Sequence, residues 1–552
     1  MSKLLIEYFY EKEKSRATLP YLHQPFGDTW ETYTWAEVGD KARRLATWLK
    51  QQCPKETAHI SIVSRNCREW VIADIAIMMA GFISVPFYAN LDGKQLAEVI
   101  DLGDVDLLLI GKVDGWENMK TGIPQGLPVG KFPHYEDNPV IDIGTDWETI
   151  MQETPLQGNP VSDEKSIWSI VFTSGTTGTP KGAFFTHKKA SNYTTSPHFE
   201  YWLNMEEGMD LRFFSFLPLN HIAERNLFNA SISKGAEIFF TENLATFGKN
   251  LKHARPTSFF AVPRIWTKFK QGLLSQMPQE QLDAMLDNPA TKSAVQQQLK
   301  QALGLDKATI VITGAAPMSK YDVEWWLKLG MPLSDAYGQT ENLAMTSYSP
   351  TGKVRAGAVG IIHSYVEVKI HPENQELLVK SPLNMDGYYK DAEKTAETIQ
   401  DGWLHTGDAV KMDEDGYLYI TGRVKDTFKT EKGQFIVPSK IEDMYGANSD
   451  IEQLCLMGLG MPHPIMAIVP SEIGAAKTKA ALEESLRDTM VFVNKDLPNY
   501  TRVGTLIIAK EPFTVENGLM TPTLKVKRFN MNEKYADVLR GYCEDTRKIV
   551  WE

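Results

Sequence analysis

The chain has 552 residues, 43% hydrophobic and 23% charged, with a net charge of −12. That length exceeds one compact core and predicts a soluble globular protein of at least two domains. The acidic balance excludes nucleic acid as the main partner, since a phosphate backbone needs clustered Lys and Arg, but it leaves room for a local cationic pocket.

The N-terminal segment MSKLLIEYFYEKEKS is broken by charge and lacks the apolar centre of a signal peptide. Cys53, Cys67, Cys455 and Cys543 form no CxxC pair. Neither a disulfide framework nor a zinc site is therefore expected, and the reading is a reducing, cytoplasmic compartment. The longest apolar run, Val71 to Phe87, carries Asp74 and is punctuated by Gly81 and Pro86. A membrane span needs about 20 unbroken apolar residues, so this run predicts a buried helix followed by a buried strand. No transmembrane segment is expected; peripheral membrane contact and oligomeric state stay open.

Further along, short β-rich runs alternate with helical patterns: 105–110, 166–172, 213–218, 235–240, 257–263 and 308–314. Unbroken apolar strands separated by helices predict parallel sheets covered on both faces, with ligands at the carboxyl ends of strands. From about residue 355 the pattern changes. Residues 367–380 read as two strands around Pro-Glu-Asn, and 409–422 as a hairpin around Asp415-Gly416. A smaller α/β region follows, with the boundary near Thr421–Asp426. The predicted fold is α/β: a large domain of mostly parallel sheets over 1–424 and a smaller, mobile α+β domain over 425–552.

Four stretches carry chemistry. Thr173 to Gly182 reads TSGTTGTPKG after a strand-like run. Such a loop can turn several N–H groups and hydroxyls onto phosphate oxygens, and Lys181 adds a mobile positive charge. A P-loop is excluded, because no Gly-Lys pair is followed by Ser or Thr. A flexible surface turn accounts for the glycines but not for the hydroxyls and the lysine. In Asp335 to Glu341, DAYGQTE, Tyr337 offers a ring to a base, Thr340 a hydroxyl to phosphate and Glu341 a hard oxygen to Mg²⁺; a capped helix start is the plainer alternative. In Gly402 to Asp408, GWLHTGD, the aspartate reads as a strand-edge residue that can accept both ribose hydroxyls, or as one that simply serves a turn. Residues 517–528 read as a basic stretch that is plainly solvated when taken alone.

In this order the four stretches resemble the adenylate-forming superfamily: acyl-CoA synthetases, aryl-CoA ligases, luciferases and peptide-synthetase adenylation domains. The resemblance runs from about Ile60 to Arg528 and takes in Ile312 to Pro317 and Ser381 to Tyr389. It implies that Thr173, Ser174, Gly175, Thr176, Thr177, Gly178 and Lys181 embrace the ATP triphosphate. Gly314, Ala315 and Ala316 would lie against adenine, and Tyr337 would flank it within Gly338-Gln339-Thr340-Glu341. Thr340 would touch the α-phosphate and Glu341 would bind Mg²⁺. Asp408 and Arg423 would hold the ribose, Lys425 would be the hinge of the smaller domain, and Lys525 the catalytic lysine. His221 falls where the family places an aromatic or His near the substrate carboxylate, although a core histidine is the commoner fate of such a residue.

Thr523-Leu524-Lys525-Val-Lys-Arg528 and the long connector from Asp426 to Gly433 resemble the long-chain and "bubblegum" acyl-CoA synthetases, in a bacterial-type form shorter than the eukaryotic members. The implied reaction joins a medium- to long-chain fatty acid to CoA through an acyl-AMP, releasing AMP and pyrophosphate. A fatty-acyl-AMP ligase, a short-chain or aryl-acid ligase and an inactive nucleotide-binding scaffold are the alternatives. Phe213, Phe214, Phe216, Phe259 and Phe260 read first as buried strand aromatics and second as walls of an acyl tunnel.

Overall fold

The computed structural model describes residues 3–173, 180–195, 210–316, 318–331, 333–350, 352–515, 517–521, 526–545 and 547–552. The apolar run divides where its punctuation predicts. Helix Arg68–Ala80 is buried on every face and ends at Gly81, whose φ of 77° is the left-handed closure that only glycine adopts without cost. Strand Ile83–Ser84 follows. A helix buried all round has no solvent face to keep, so it fills the middle of the protein, packed in one core with the flanking helices Leu5–Ser15, Trp35–Gln52 and Ile222–Lys234, its charged residues Arg68, Glu69 and Asp74 being paired.

Two sheets flank this core. One has nine strands, with a parallel centre formed by Leu333–Tyr337, Ile310–Gly314, Ser258–Ala261, Arg212–Ser215, Glu237–Phe240 and Pro20–Phe26. The other has eight, with parallel strands Ile167–Thr173, Ile83–Ser84, His59–Val63, Leu107–Ile110, Val129–Lys131 and Thr145–Asp146. Each of the six apolar runs in 105–314 overlaps one of these strands. Antiparallel strands close some of the edges, notably Lys181–Thr186 beside Ile167–Thr173 and Gly387–Tyr388 outside it.

Residues 367–423 form a five-stranded antiparallel sheet containing both hairpins read from the sequence. A smaller four-stranded sheet, Ile451–Met457, Ile465–Pro470, Thr505–Ile508 and Ile549–Trp551, lies beyond it with its own apolar core. The fold is α/β, with large parallel-centred sheets followed by a smaller sheet-containing region. Among the described residues no helix is long and apolar enough to cross a membrane. The four cysteines are buried free thiols.

The phenylalanines at 213–216 and 259–260 pack as strand interiors do. Phe213, Phe214 and Phe259 are essentially inaccessible. Phe216 stacks on Phe259 at 5.8 Å between centroids and meets Phe247 edge-on at 4.9 Å. Interior packing accounts for Phe213, Phe214 and Phe259, while Phe216 and Phe260 are half-buried.

Candidate active site

The glycine- and threonine-rich loop joins two antiparallel strands, in which Thr173 faces Lys181 in register. The Thr173 hydroxyl reaches the Lys181 carbonyl at 3.4 Å. The chain leaves the loop as a strand, Lys181–Thr186, and not as the helix that follows the loop of a P-loop. Ser174, Gly175, Thr176, Thr177 and Gly178 lie outside the described residues. Lys181 is held below the ordinary lysine range, first by burial and then by the charges of Lys394 and Lys425, against the opposing pull of Glu341 and Asp391. Like charges crowded in this way favour a polyanion between them.

Strands Ile310–Gly314 and Leu333–Tyr337 run parallel, with Gly314 opposite Ala336, so both motifs emerge together at the carboxyl end of the sheet. A Cβ on Gly314 would stand 2.8 Å from the Ala336 carbonyl oxygen, and one on Gly338 would stand 2.1 Å from the Ala344 carbonyl carbon. Both glycines are therefore steric requirements. Ala315 takes a left-handed φ of 65°, which costs an alanine about 1 kcal/mol, and turns the chain away from the strand end. Thr340 and Glu341 sit in the single 3₁₀ turn Thr340–Asn342, where Asn342 Oδ1 accepts from the Gln339 N–H at 2.9 Å. The capping chemistry in this sequence is real, and it shapes the loop that presents Glu341.

Asp408 is nearly buried inside strand Trp403–Met412 rather than at an edge or turn. Its Oδ2 accepts from Tyr337 Oη at 2.6 Å and from Gln339 Nε2 at 2.7 Å, while its Oδ1 pairs with Arg423 Nε at 2.7 Å. Gln339 also donates to the Thr406 carbonyl at 2.8 Å. Burial, then the Asp408 charge, drives the Tyr337 phenol far above its ordinary range, so it remains a donor. Burial pulls Arg423 down, but Asp408, Tyr337, Asp426 and Glu341 together raise it. Three segments distant in sequence, 337–341, 406–408 and 423, are thus locked around one carboxylate.

Glu341 has a partner that the sequence analysis assigned no role. Its Oε1 accepts from Tyr388 Oη at 2.7 Å, and the Tyr388 ring lies 5.9 Å from Lys181 Nζ. The only signal in the sequence was the Gly-Tyr-Tyr triplet, which does not say what the phenol meets. His221 is half-buried and caps helix Ile222–Lys234, its Nδ1 accepting from the Ala223 N–H at 3.3 Å. That helix is tied to the 339–344 loop by Asn226 Nδ2 donating to the Leu343 carbonyl at 2.5 Å. Ala316 is half-buried beyond the strand end. Lys425 lies two residues beyond Arg423 and comes within electrostatic range of Lys181. Lys525 lies outside the described residues. Beyond it, Arg528 pairs with Glu442 at 2.8 Å within the C-terminal region.

The family model described as AMP-binding enzyme matches residues 10–389, and that described as AMP-binding enzyme C-terminal domain matches residues 425–546. Long-chain-fatty-acid–CoA ligase 5 of Rattus norvegicus is 29% identical, over 95% of this chain and 85% of the relative. Long-chain-fatty-acid–CoA ligase 6 of Mus musculus is 28% identical, over 93% and 82%. Among solved structures, the adenylation domain of a carboxylate reductase from Mycobacterium chelonae aligns with a TM-score of 0.81 at 20% identity, covering 98% of this chain and 91% of that one. A glycine- and threonine-rich segment between two strands, a buried aspartate held by tyrosine, glutamine and arginine, and a family match over most of the chain all agree: the protein belongs to the AMP-binding enzymes.

Proposed function

We propose that the protein is an AMP-forming acid–thiol ligase that activates a long-chain fatty acid with ATP and transfers the acyl group to CoA. The carrying observation is the clustering of Lys181, Glu341, Tyr337, Asp408 and Arg423 at neighbouring strand ends and loops. The printed names of the curated relatives favour a long-chain acid. The packed phenylalanines contribute nothing to that choice.

In the first step a carboxylate oxygen attacks the α-phosphorus, and the bond to the bridging oxygen of pyrophosphate breaks. Both reactants are anions, so catalysis is mainly positioning and charge neutralisation. Thr173 to Gly178 and Lys181 would take the outer phosphates. Gly314, Ala315, Ala316 and Tyr337 would bound the adenine. Asp408, with Arg423, would take the ribose, using acceptor capacity left beyond the donors it already holds. Lys525 would bridge the carboxylate and the α-phosphate, with Thr340 on the latter and His221 near the acid. In the second step the CoA thiol, losing its proton, attacks the acyl carbon, and AMP leaves.

Among the described residues no cluster of three His, Cys, Asp or Glu side chains could cage a cation. Glu341 fits the usual Mg²⁺ arrangement, one protein carboxylate completed by substrate phosphates and water. When bound with ATP, the ion neutralises charge on the departing pyrophosphate. We further propose that 1–424 and 425–552 are separate domains, that Lys425 is the hinge between them, and that the protein is cytoplasmic.

The test is AMP release from Mg-ATP with straight-chain acids from acetate to stearate, with and without CoA. CoA-dependent release that peaks at the long end is expected. Pyrophosphate formation that CoA does not accelerate would replace this reading with an adenylate ligase, and activity confined to short or aromatic acids would move the substrate class.

A further inference from the structure

Glu341 is gripped at two points by one segment. The Met385 N–H donates to its backbone carbonyl at 2.7 Å, and three residues later Tyr388 Oη donates to its side-chain Oε1 at 2.7 Å. Among the described residues the other carboxylate oxygen takes no hydrogen bond.

The segment is itself rigid. Tyr388, in the edge strand, pairs with Ala183 of the neighbouring strand beside the phosphate loop, and its N–H donates to Thr395 Oγ1 at 2.8 Å. On the far side, the Tyr389 N–H donates to the Gly182 carbonyl at 2.8 Å, and the Tyr389 hydroxyl reaches Asp104 at 2.8 Å, where Lys390 also pairs. An ionised carboxylate has no proton to give, so at this contact the phenol donates and the carboxylate accepts. The same ring borders Lys181, so one side chain spans the cation-side and phosphate-side groups.

We propose that Tyr388 is a positioning residue that holds Glu341 through Oε1, so that Oε2 faces the divalent cation accompanying ATP. The proposal rests on the reading of Glu341 as the cation's protein ligand. A hydrogen bond to one oxygen selects a single carboxylate rotamer and makes the remaining contact monodentate. Partners of this kind typically change metal affinity by about 10–100-fold.

The experiment compares wild type, Tyr388→Phe, Glu341→Gln and Tyr389→Phe. Two quantities are read: the Mg²⁺ concentration giving half-maximal pyrophosphate formation, and the calorimetric affinity for a non-hydrolysable ATP analogue with Mg²⁺ and with EDTA. Tyr388→Phe should raise the half-saturating Mg²⁺ by about 10-fold and reduce the Mg²⁺-dependent gain in analogue affinity equally, leaving the EDTA affinity unchanged. Tyr389→Phe, which loosens the same strand without touching Glu341, should move neither. A wild-type Mg²⁺ response in Tyr388→Phe while Glu341→Gln is shifted overturns the role of Tyr388. An unshifted Glu341→Gln overturns the ligand reading beneath it. Should Tyr388→Phe not fold, Tyr388→Met removes the hydroxyl with an adaptable apolar side chain. A shift of about 10-fold in the same direction supports the role, and none overturns it.

Discussion

Two arginine–aspartate pairs of similar geometry sit in opposite settings. Arg225 Nη2 meets Asp74 Oδ1 at 2.5 Å with both side chains wholly buried, whereas Arg423 Nε meets Asp408 Oδ1 at 2.7 Å with the arginine 46% exposed. Burial outweighs the partner in the first pair and leaves Arg225 below the ordinary guanidinium range. In the second, the surrounding carboxylates and phenol outweigh burial and lift Arg423. The sealed pair also receives Ser169 and Ser84, yet among the described residues Arg225 Nε and Asp74 Oδ2 find no partner. A sealed pair is a structural commitment joining helix Arg68–Ala80 to helix Ile222–Lys234. A pair open on one side can exchange partners with a ligand.

Breaking each pair should separate these roles. Asp74→Ala strands a buried guanidinium and should cost about 3–5 kcal/mol in guanidinium chloride denaturation. A loss below about 1 kcal/mol would mean that water reaches Arg225.

Glu224, the residue before Arg225, is equally buried but has no cation; Ser215, the Phe216 backbone and a long contact from Asn66 are its partners. Burial pushes its carboxyl up to about 8. With the folded value raised above the unfolded one, its stabilising contribution is complete below about pH 4.5 and disappears as the pH climbs to about 8. Glu224→Gln, which cannot ionise, should therefore gain on wild type by about 1.4 kcal/mol per pH unit across that window, reaching about 3 kcal/mol at pH 7. Stability curves that stay parallel with pH would refute it.

At the open pair the effect moves from stability to catalysis. Asp408→Ala should cost only about 1 kcal/mol of stability, because Arg423 can turn to water. It should lower kcat/KM for ATP by about 10–100-fold, the value of charge-assisted hydrogen bonds. Loss of stability without loss of ATP affinity would make the second pair merely structural. The smallest change is Tyr337→Phe, which removes one of three donors from Asp408. It should raise the KM for ATP by about 2–10-fold with kcat nearly unchanged.

Much of this was legible in one dimension. The strand runs ending at Gly314 and Thr173 are local apolar patterns, and the glycine-rich loop, DAYGQTE and GWLHTGD are contiguous. Both glycine requirements were less visible: Gly314 and Gly338 are needed because the Ala336 and Ala344 backbones pass within a Cβ radius. The sequence offered Asp408 as a strand-edge or turn residue and His221 as a substrate neighbour or a core residue. The fold makes the first a nearly buried strand interior and the second a helix cap.

The chain alone determined which segments become strands, where the buried helix stops and which residue types stand together in each motif, because backbone propensity and apolar periodicity act over a few neighbours. Only the tertiary structure decided who meets whom. Tyr388 reaches Glu341 across 47 residues, and Tyr337 reaches Asp408 across 71. Adjacent Glu224 and Arg225 differ because one helix face finds Asp74 and the other finds only hydroxyl, amide and backbone groups. Those outcomes depend on sheet register and helix rotation, which the packing of the whole core sets and no local stretch encodes.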